Sequence, residues 1–367
     1  MMSMSFESPH GGDVWLVERL MGIGALSLID FSSNVNPYGP SPRAVKAVVE
    51  LAPTLSLYPD DECLKLRQSL SEHYDLDPAN FIVGNGSTEL IYLFARVFVG
   101  CGLAGVHIPT FSEYERAVAS CGGSCLYTKP HVQGAPSVEE LMELMDGGVK
   151  ALFICNPNNP NGSVMRAEEL EEVLEEAEKR GVYVLLDEDF VELADEGSAR
   201  SFICEVEKFS KLVVLRSFTK SHGLAGLRVG YAAASREAIS RMEAARVRWN
   251  VNLLAQEAAV AALQDGEHVE AARRLVKSEK PRLMREVQGL EWAKPIYGYA
   301  NFLLVELSGV TSRELKMELA RRSFLIRDCS NFRGLNDRYI RVAVKRSWEN
   351  ELLIEELKKL EVKRSVN

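Results

Sequence analysis

Apolar positions along the first two thirds of the chain fall into short runs that alternate with amphipathic stretches. The runs predict buried strands at 81–83, 105–108, 151–155, 182–186 and 212–215. Hydrophobic positions three and four residues apart predict helices between them, at 89–99, 112–120, 167–180 and 202–209. Strands that alternate with helices are typical of a mostly parallel sheet with helices on both faces. Residues that directly follow such strands lie at the edge of the sheet where α/β proteins bind ligands.

From about residue 235 the pattern changes. Long amphipathic stretches predict helices at 236–263 and 268–290. Shorter runs predict strands at 300–306, 324–327 and 339–344, followed by a last helix at 349–360. We therefore predict an α/β protein that also has a smaller α+β domain. The larger domain is residues 45–240, and the smaller one combines residues 1–44, which include an N-terminal arm, with residues 241–367.

The composition narrows the classes of function. The chain has 367 residues, of which 46% are hydrophobic and 26% charged, as in an ordinary globular protein. The net charge of −9 disfavours a nucleic-acid partner, since such proteins usually carry a basic excess. Seven scattered cysteines without a C-x-x-C pair favour reduced thiols over a zinc site. We expect no signal peptide, no membrane partner and a cytoplasmic location.

A lysine with phosphate-binding neighbours follows one of the predicted strands. Lys220 comes soon after the run 212–215, with Ser217 and Thr219 before it and Arg228 in a glycine-containing loop after it. A lysine amine forms Schiff bases with carbonyl groups, and hydroxyls with an arginine suit a phosphate. Pyridoxal phosphate carries both an aldehyde and a phosphate. Taken alone, however, a lysine after a strand is more often an ordinary surface residue.

Three further strand ends carry polar residues. The segment 84–88 (Gly-Asn-Gly-Ser-Thr) opens a predicted helix, where backbone N–H groups favour an anion, although a tight turn with a Ser or Thr cap fits equally well. The segment 156–162 (Asn-Pro-Asn-Asn-Pro-Asn-Gly) predicts a rigid turn whose amides can aim at a ring substituent, although a turn of this kind needs no function. Asp187 ends another strand, and it either pairs with a pyridine nitrogen or forms a salt bridge or N-cap.

Two arginines lie in predicted strands of the smaller domain. Arg327 and Arg341 each stand in an otherwise apolar run. Such an arginine either faces solvent or clamps a carboxylate or phosphate. The alternation around Arg341 permits either face, and on its own it favours solvent.

In their order along the chain, these segments resemble the class I and II aminotransferase superfamily, the fold-type I enzymes that use pyridoxal phosphate. The motifs are G-N-G-S-T-E, N-P-N-N-P-N-G, L-L-D-E and S-F-T-K with G-L-R-V-G-Y, and the resemblance extends from Asp30 to about Val344. It implies the fold-type I architecture, in which helices sandwich a mostly parallel central sheet. It also implies the cofactor pyridoxal 5'-phosphate and a homodimer with two shared sites.

The resemblance implies a role for each matching residue. Lys220 would bind the cofactor as a Schiff base and later move protons at the substrate, and Asp187 would pair with the pyridinium nitrogen. Arg341 would bind the substrate carboxylate. Asn159 would contact the ring hydroxyl of the cofactor, and Phe111 would stack on the ring. Tyr58 would reach the cofactor phosphate in a neighbouring subunit. The cofactor phosphate would also be held by Gly86, Ser87, Thr88, Ser217, Thr219 and Arg228.

Within the superfamily, the chain resembles the L-threonine-O-3-phosphate decarboxylases at most points. They share His10-Gly-Gly12, a phenylalanine at Phe190, Trp249-Asn-Val-Asn252, and the pattern Ile-Arg-x-Cys-x-Asn-x-x-Gly-Leu with Tyr-x-Arg-Val-Ala at 326–343. This branch implies decarboxylation of L-threonine O-3-phosphate to (R)-1-amino-2-propanol phosphate in cobalamin biosynthesis. The residues that would contact this substrate are His10, Gly11, Asn34, Arg327 and Arg341.

Histidinol-phosphate aminotransferases are the alternative, since they share the segment 31–37 and the Tyr58-Pro-Asp step. They usually have a tyrosine where this chain has Phe190. The chain also departs from the decarboxylase pattern at Asp13, where asparagine is usual, and from the superfamily pattern at Asn161, where threonine is usual. A non-catalytic regulator with the same fold is less favoured, because no DNA-binding segment is attached.

Overall fold

The computed structural model describes residues 10–195 and 197–360. Within these residues the α-helices are Val14–Met21 (α1), Pro42–Leu51 (α2), Leu64–Tyr74 (α3), Gly86–Phe94 (α4), Glu113–Ser120 (α5), Val138–Asp146 (α6), Ala167–Arg180 (α7), Arg236–Glu243 (α8), Leu253–Leu263 (α9), Gly266–Gln288 (α10), Ser312–Arg321 (α11) and Ser347–Lys358 (α12). The strands are Ile29–Asp30 (β1), Phe81–Gly84 (β2), Leu103–Ile108 (β3), Ser124–Pro130 (β4), Ala151–Cys155 (β5), Tyr183–Asp187 (β6), Leu212–Ser217 (β7), Gly230–Ala234 (β8), Ala293–Ile296 (β9), Phe302–Leu307 (β10), Phe324–Leu325 (β11), Arg327–Asp328 (β12) and Tyr339–Ala343 (β13).

The central sheet has the strand order β2-β8-β7-β6-β5-β3-β4. The pairs β3–β4, β3–β5, β5–β6 and β6–β7 are parallel, whereas β8 runs antiparallel to both β7 and β2. This confirms the mostly parallel sheet. Strands β4 and β8 were absent from the sequence prediction because β4, at the edge, is only partly apolar and β8 is mostly alanine, which has low strand propensity.

A second, antiparallel sheet has the order β12-β13-β10-β9, and β1 pairs with β11 in a separate two-stranded sheet. The single strand predicted at 324–327 is therefore divided, because β11 pairs with β1 and β12 pairs with β13. The register places Arg327 directly opposite Arg341. The proposed division at residues 45 and 240 into two domains stays a prediction.

Two helix predictions are wrong. The stretch 236–263 forms two helices, since the Asn252 side chain accepts a hydrogen bond from the Ala255 N–H and begins α9 anew. The stretch 202–209 contains only a 3₁₀ turn at Ile203–Glu205, although its apolar residues are buried. There the Phe202 N–H donates to a Glu188 carboxylate at 2.7 Å, which fixes the segment as a loop over the sheet.

Apolar cores lie on both faces of the central sheet, because successive residues of a strand point to opposite faces. In β5, Leu152 and Ile154 belong to one core and Phe153 to the other. A further core, which includes Val276 of α10 and Leu353 of α12, packs on the antiparallel sheet. Each fully buried side chain of this size contributes about 1.5–3 kcal/mol, so the cores hold the ends of the strands in fixed positions.

None of the helices in the described part of the chain is both long and apolar enough to span a bilayer. All seven cysteines are free thiols. Residues 10–195 and 197–360 contain no group of His, Cys, Asp and Glu side chains that is arranged to hold a metal ion.

Candidate active site

A cavity of about 380 Å³ opens at the carboxyl ends of β5, β6 and β7 and extends to the antiparallel sheet. Most of the residues predicted from sequence line it, namely His10, Gly11, Asn34, Ser87, Thr88, Phe111, Asn159, Asp187, Thr219, Lys220, Arg228, Arg327 and Arg341. Gly86, Ser217 and Tyr58 are not among the lining residues, but Gly86 precedes Ser87, and the Ser217 hydroxyl accepts a hydrogen bond from the N–H of Thr219. The structure therefore gathers into one cavity residues that are spread over more than three hundred positions of the chain.

Lys220 lies at the cavity wall, three residues after the end of β7. Its backbone is fixed, because its carbonyl accepts a hydrogen bond of 2.8 Å from the Asn36 N–H. Its Nζ lies 5.8 Å from the centre of the Phe190 ring. Burial lowers the pKa of the amine, and a lower pKa favours the neutral form that attacks an aldehyde.

Asp187 is a buried carboxylate that lacks a cationic partner among the described residues. The Tyr114 hydroxyl donates to its Oδ2 at 2.7 Å, and the Asp189 N–H donates to its Oδ1 at 3.0 Å. Burial, together with the nearby Asp189, raises the pKa of Asp187 to about 7. Among the described residues Asp187 thus forms neither the salt bridge nor the helix N-cap that the sequence allowed. Its carboxylate fits a protonated ring nitrogen of the cofactor.

An anion cradle forms where α4 begins. The Asn85 side chain makes no capping hydrogen bond, and Ser87 and Thr88 lie inside the first turn, so the alternative of a Ser or Thr cap is wrong. A Cβ on Gly86 would lie 2.4 Å from Nη2 of Arg228, so only glycine lets the guanidinium approach the helix start. Free N–H groups at a helix N-terminus beside an arginine suit a phosphate.

Hydroxyl groups complete the wall of this cradle. Thr219 lines the cavity, and its N–H donates to the Ser217 hydroxyl at 3.2 Å. Together with the Lys220 amine and the Asp187 carboxylate, the donors match the aldehyde, ring nitrogen and phosphate of pyridoxal phosphate, so the residues present fit that cofactor.

The turn after β5 connects this region to the antiparallel sheet. Asn159 accepts a hydrogen bond from Nη1 of Arg341 through its Oδ1. Within the turn, Asn158 donates to Oδ1 of Asn161 at 2.8 Å, and the same oxygen accepts from the Ser163 N–H at 3.1 Å. Asn161 therefore stabilises the turn although threonine is usual at its position.

Arg327 and Arg341 are buried, with 3% and 5% of their surface exposed, so the solvent-facing preference from sequence is wrong. Their cross-strand register places both guanidinium groups at the cavity. Besides Asn159, Arg341 donates to the Ser32 carbonyl at 2.9 Å, and its buried Nε has no hydrogen-bond partner within residues 10–195 and 197–360. Burial, with Arg327 adding to it, lowers the pKa of Arg341 to about 10.

The arm before α1 packs against the same region. A Cβ on Gly11 would lie 2.1 Å from the Ser32 carbonyl oxygen, so glycine is required for this close approach. The His10 Nε2 lies 2.9 Å from a Glu113 carboxylate oxygen, and its ring centre lies 5.6 Å from that of Phe111. Burial lowers the pKa of His10, and the Glu113 carboxylate opposes this shift.

The segment after β1 joins β11, which lies just before Arg327, to β13, which carries Arg341. The Phe31 N–H donates to the Leu325 carbonyl at 2.7 Å, and the Phe31 carbonyl accepts from the Ala343 N–H at 2.9 Å. Three residues later Asn34 lines the cavity, and neither its amide nitrogen nor its amide oxygen has a partner in the described part of the chain although both are buried. Such orphaned polar atoms are costly, which suggests that a ligand satisfies them.

Tyr58 is 81% exposed and lies outside this cavity, with its ring centre 5.4 Å from that of Trp249. Its expected role at the site of a neighbouring subunit stays a prediction. The cavity wall also contains residues that sequence reasoning missed, namely Ser32, Ser33, Glu113, Tyr114, Cys155, Asp189 and Phe332. Asp189 was detectable, since it follows Asp187 by two residues at a strand end.

Comparison with known proteins places the chain among pyridoxal phosphate enzymes. The family model "Aminotransferase class I and II" matches residues 27–357. A protein of Caldanaerobacter subterraneus subsp. tengcongensis, provisionally named a threonine-phosphate decarboxylase, is 36% identical and covers 89% of each chain. The histidinol-phosphate aminotransferase of Methanosarcina mazei is 31% identical over 96% of this chain and 94% of its own. The crystal structure of L-threonine-O-3-phosphate decarboxylase from Porphyromonas gingivalis has a TM-score of 0.80 and 29% identity over 89% of this chain and 98% of that one.

Proposed function

Since the chain belongs to the class I and II aminotransferase family and uses pyridoxal 5'-phosphate, we propose that it decarboxylates L-threonine O-3-phosphate to (R)-1-amino-2-propanol phosphate. The observation that carries this proposal is the pair of buried guanidinium groups, Arg327 and Arg341, beside His10 and Asn34. We further propose that the product serves cobalamin biosynthesis.

The cofactor supplies an aldehyde that binds amines covalently and a ring that withdraws electrons from a bond next to the bound nitrogen. In our proposal Lys220 holds the aldehyde, Asp187 keeps the ring nitrogen protonated and Phe111 covers the ring. The helix start at Gly86, with the residues Ser87, Thr88, Ser217, Thr219 and Arg228, holds the phosphate.

The substrate end of the cavity suits a molecule with two anionic groups. Buried cations are costly unless an anion neutralises them, and the partners of Arg341 are an amide and a backbone carbonyl. We assign the substrate carboxylate to Arg341. We assign the substrate phosphate to Arg327 with His10, the Gly11 N–H and Asn34. O-phosphothreonine carries both anions, whereas histidinol phosphate carries only the phosphate.

Two anchors also favour one bond for cleavage. The bond that breaks must stand perpendicular to the electron-withdrawing ring, so the orientation of the substrate decides the reaction. Contacts to the remote phosphate fix that orientation with binding energy that does not come from the reacting atoms. We propose that the two anchors hold the substrate in the orientation in which the bond from Cα to the carboxylate would be cleaved.

The test supplies the purified enzyme with O-phosphothreonine and no keto acid. We expect release of carbon dioxide and aminopropanol phosphate, much weaker release from threonine, and none from Lys220→Ala. That variant should also lack a visible absorbance band that borohydride removes. No carbon dioxide from O-phosphothreonine, with amino transfer from histidinol phosphate to 2-oxoglutarate, would overturn the proposal.

The second candidate is an aminotransferase, and its support is the Methanosarcina mazei relative, which covers 96% of this chain. The two arginines also suit the two carboxylates of glutamate. An aminotransferase would instead turn the Cα–H bond out of the ring plane for Lys220 to take the proton. The same assay separates the two reactions by their products.

We also propose a homodimer in which Tyr58 reaches the site of the other copy. The support is a group of large apolar side chains that are exposed in this chain, namely Leu55, Leu57, Tyr58, Val247 and Trp249. Mixing an inactive Tyr58→Ala protein with inactive Lys220→Ala should restore part of the activity, because half of the hybrid sites would be intact. No recovery after verified subunit exchange would contradict shared sites.

A further inference from the structure

Glu113 is a buried acidic residue in the cavity wall that the proposed function does not use. It is the first residue of α5, and only 6% of its surface is exposed. Its Oε1 lies 2.9 Å from Nε2 of His10, and its Oε2 accepts a hydrogen bond of 2.9 Å from the Tyr92 hydroxyl. A guanidinium nitrogen of Arg116 lies 3.6 Å from Oε1. Both carboxylate oxygens are therefore engaged within the protein, which suits a residue that holds another side chain and does not itself react with a substrate.

The side chain that Glu113 holds, His10, belongs to the arm before α1. On one side of this arm the Gly12 N–H donates to the Ser32 hydroxyl at 2.7 Å, next to the close contact between Gly11 and the Ser32 carbonyl. On the other side the His10 ring contacts the carboxylate on α5. The arm is thus attached to two separate elements, and the contact with Glu113 fixes the imidazole at the substrate end of the cavity.

The same contact determines which ring nitrogen of His10 carries a hydrogen. A carboxylate only accepts hydrogen bonds, so Nε2, which faces Glu113, donates one. Burial lowers the pKa of the imidazole, the Glu113 carboxylate opposes this shift, and the guanidinium groups of Arg327 on β12 and Arg116 on α5 add to it. When the ring takes up a second proton, the carboxylate balances part of the new charge.

Building on the proposed function, in which His10 and Arg327 hold the substrate phosphate, we propose that Glu113 is a positioning residue that acts through His10. It holds the imidazole at the substrate end of the cavity and stabilises the charged form of the ring when the phosphate binds. Glu113 thereby sets how strongly the enzyme prefers a phosphorylated amino acid over its unphosphorylated counterpart.

A carboxylate near an anion site helps an anion to bind when its attraction for the intervening cation exceeds its repulsion of the anion. Coulomb energy falls with distance, so the nearer pair dominates. The Glu113 carboxylate is in direct contact with the His10 ring, and its two oxygens are covered by that ring and by the Tyr92 hydroxyl. A phosphate that binds to the imidazole therefore stays farther from the carboxylate than the ring does, and the attraction prevails.

The first measurement follows the His10 ring in the full-length, cofactor-loaded protein. Hydrogen–deuterium exchange of the carbon-bound ring proton across a pH series, read by peptide mass spectrometry, gives the pKa of the imidazole, with the exposed His73 as reference. Because an opposite charge within about 4–6 Å shifts a pKa by roughly 1–3 units, Glu113→Gln should lower the pKa of His10 by about 1 unit. Glu113→Asp, which keeps the charge, should retain most of the wild-type value.

A matched control makes the same change at another pair of glutamate and histidine. Nε2 of His131 lies 2.7 Å from Oε2 of Glu140, and neither residue lines the cavity. Glu140→Gln should leave the exchange profile of His10 unchanged, and it should keep α6 folded because glutamine also completes a capping box. If Glu113→Gln does not fold, judged by circular dichroism, then Glu113→Ala provides the same loss of charge.

The second measurement compares O-phosphothreonine with threonine as substrates. Glu113→Gln should lower kcat/KM for O-phosphothreonine about tenfold at neutral pH, which corresponds to one unit in the pKa of His10, and should leave kcat/KM for threonine nearly unchanged. In a His10→Ala background the same change should have almost no further effect, because Glu113 acts through the ring. A role in folding alone would lower the activity toward both substrates equally.

Two results would overturn the inference. One is an unchanged exchange profile of His10 in a folded Glu113→Gln protein, and the other is an equal loss of activity toward the two substrates. If instead the wild type releases no carbon dioxide from O-phosphothreonine, the proposed function fails, while the exchange profile still decides whether Glu113 stabilises the charged imidazole.

Discussion

Arg216 and Arg341 are both almost fully buried, at 6% and 5% exposure, yet their guanidinium groups have very different partners. Arg216, on β7, donates to a Glu188 carboxylate oxygen at 2.8 and 3.1 Å and to the Tyr74 hydroxyl at 3.0 Å. Arg341 donates to an amide and a carbonyl, and its Nε has no hydrogen-bond partner among the residues that the structure describes. Burial acts against both charges, but the neighbours Tyr74 and Glu188 raise the pKa of Arg216, whereas the pKa of Arg341 falls to about 10.

The same contrast separates two adjacent carboxylates. Glu188 is bound by Arg216, by the Ser201 hydroxyl at 2.7 Å and by a backbone N–H. Among the described residues Asp187, its neighbour in sequence, accepts only from a tyrosine hydroxyl and a backbone N–H, and burial raises its pKa to about 7. Buried charges that the protein itself neutralises belong to the fold. Buried charges that it leaves without a counter-ion are reserved for a ligand.

The largest expected effect is on stability, and it comes from removing the ion pair between Arg216 and Glu188. Arg216→Met leaves Glu188 as an unpaired buried charge, so the free energy of unfolding in urea should fall by about 3–5 kcal/mol. Replacing Glu188 as well, in Arg216→Met with Glu188→Leu, should recover most of this loss. Equal urea midpoints for Arg216→Met and the wild type would remove the contrast between the two arginines.

The corresponding change at the ligand-facing arginine should affect activity and not stability. Arg341→Gln should lower kcat/KM for O-phosphothreonine by the equivalent of about 2–5 kcal/mol, since the substrate carboxylate loses its charged partner. Its unfolding free energy should stay within about 1 kcal/mol of the wild type. Arg321→Gln, at a residue whose side chain is 61% exposed, is the control and should change neither quantity. A loss of stability as large as that of Arg216→Met would contradict the distinction.

The unpaired carboxylate should make the cofactor-free protein less stable as the pH rises. The folded state holds a proton on Asp187 up to about pH 7, whereas the unfolded chain releases it near the ordinary value of 3.8. Because the folded state binds more protons in this window, the unfolding free energy should fall by about 2 kcal/mol between roughly pH 5 and pH 7. Urea unfolding of Asp187→Asn at both pH values should lack this component. If the variant and the wild type lose stability equally between these pH values, the group that binds the extra proton is not Asp187.

The smallest expected effect is a difference in stability between variants of two asparagines in the segment after β1, Asn34 and Asn36. Within the described residues Asn34 has no partner for either amide atom, whereas Asn36 donates to the Ser221 carbonyl at 2.7 Å and accepts from the Tyr38 N–H at 2.8 Å. Asn34→Leu should raise the unfolding free energy by about 1 kcal/mol and raise KM for O-phosphothreonine. Asn36→Leu should lower stability instead. Opposite signs in thermal melts support the comparison, and equal signs contradict it.

The sequence was most informative where a strand or helix and the functional residue that it positions lie in one contiguous segment. Strand β5 and helix α7 have the bounds that their patterns predict, and Lys220 and Asp187 follow apolar runs that end at the cavity. The substrate end was harder to predict, because alternation in β13 permits either face for Arg341. Its burial depends on pairing with β12 and β10, which the alternation within β13 alone does not show. Asp189 was missed although its position, two residues after Asp187 at a strand end, is visible in the sequence.

The hydrogen bonds of Phe31 to the neighbours of both arginines have a consequence for synthesis of the protein. Phe31 leaves the ribosome near the start of translation, and its partners Leu325 and Ala343 leave near the end. The central sheet is already complete once Ala234 has emerged. A nascent chain therefore acquires its cofactor cradle long before its substrate anchors, and the contacts of highest sequence separation form last. A chain truncated before β11 would retain Lys220 and its cradle while lacking both anchors, so we expect it to load cofactor without turning over O-phosphothreonine.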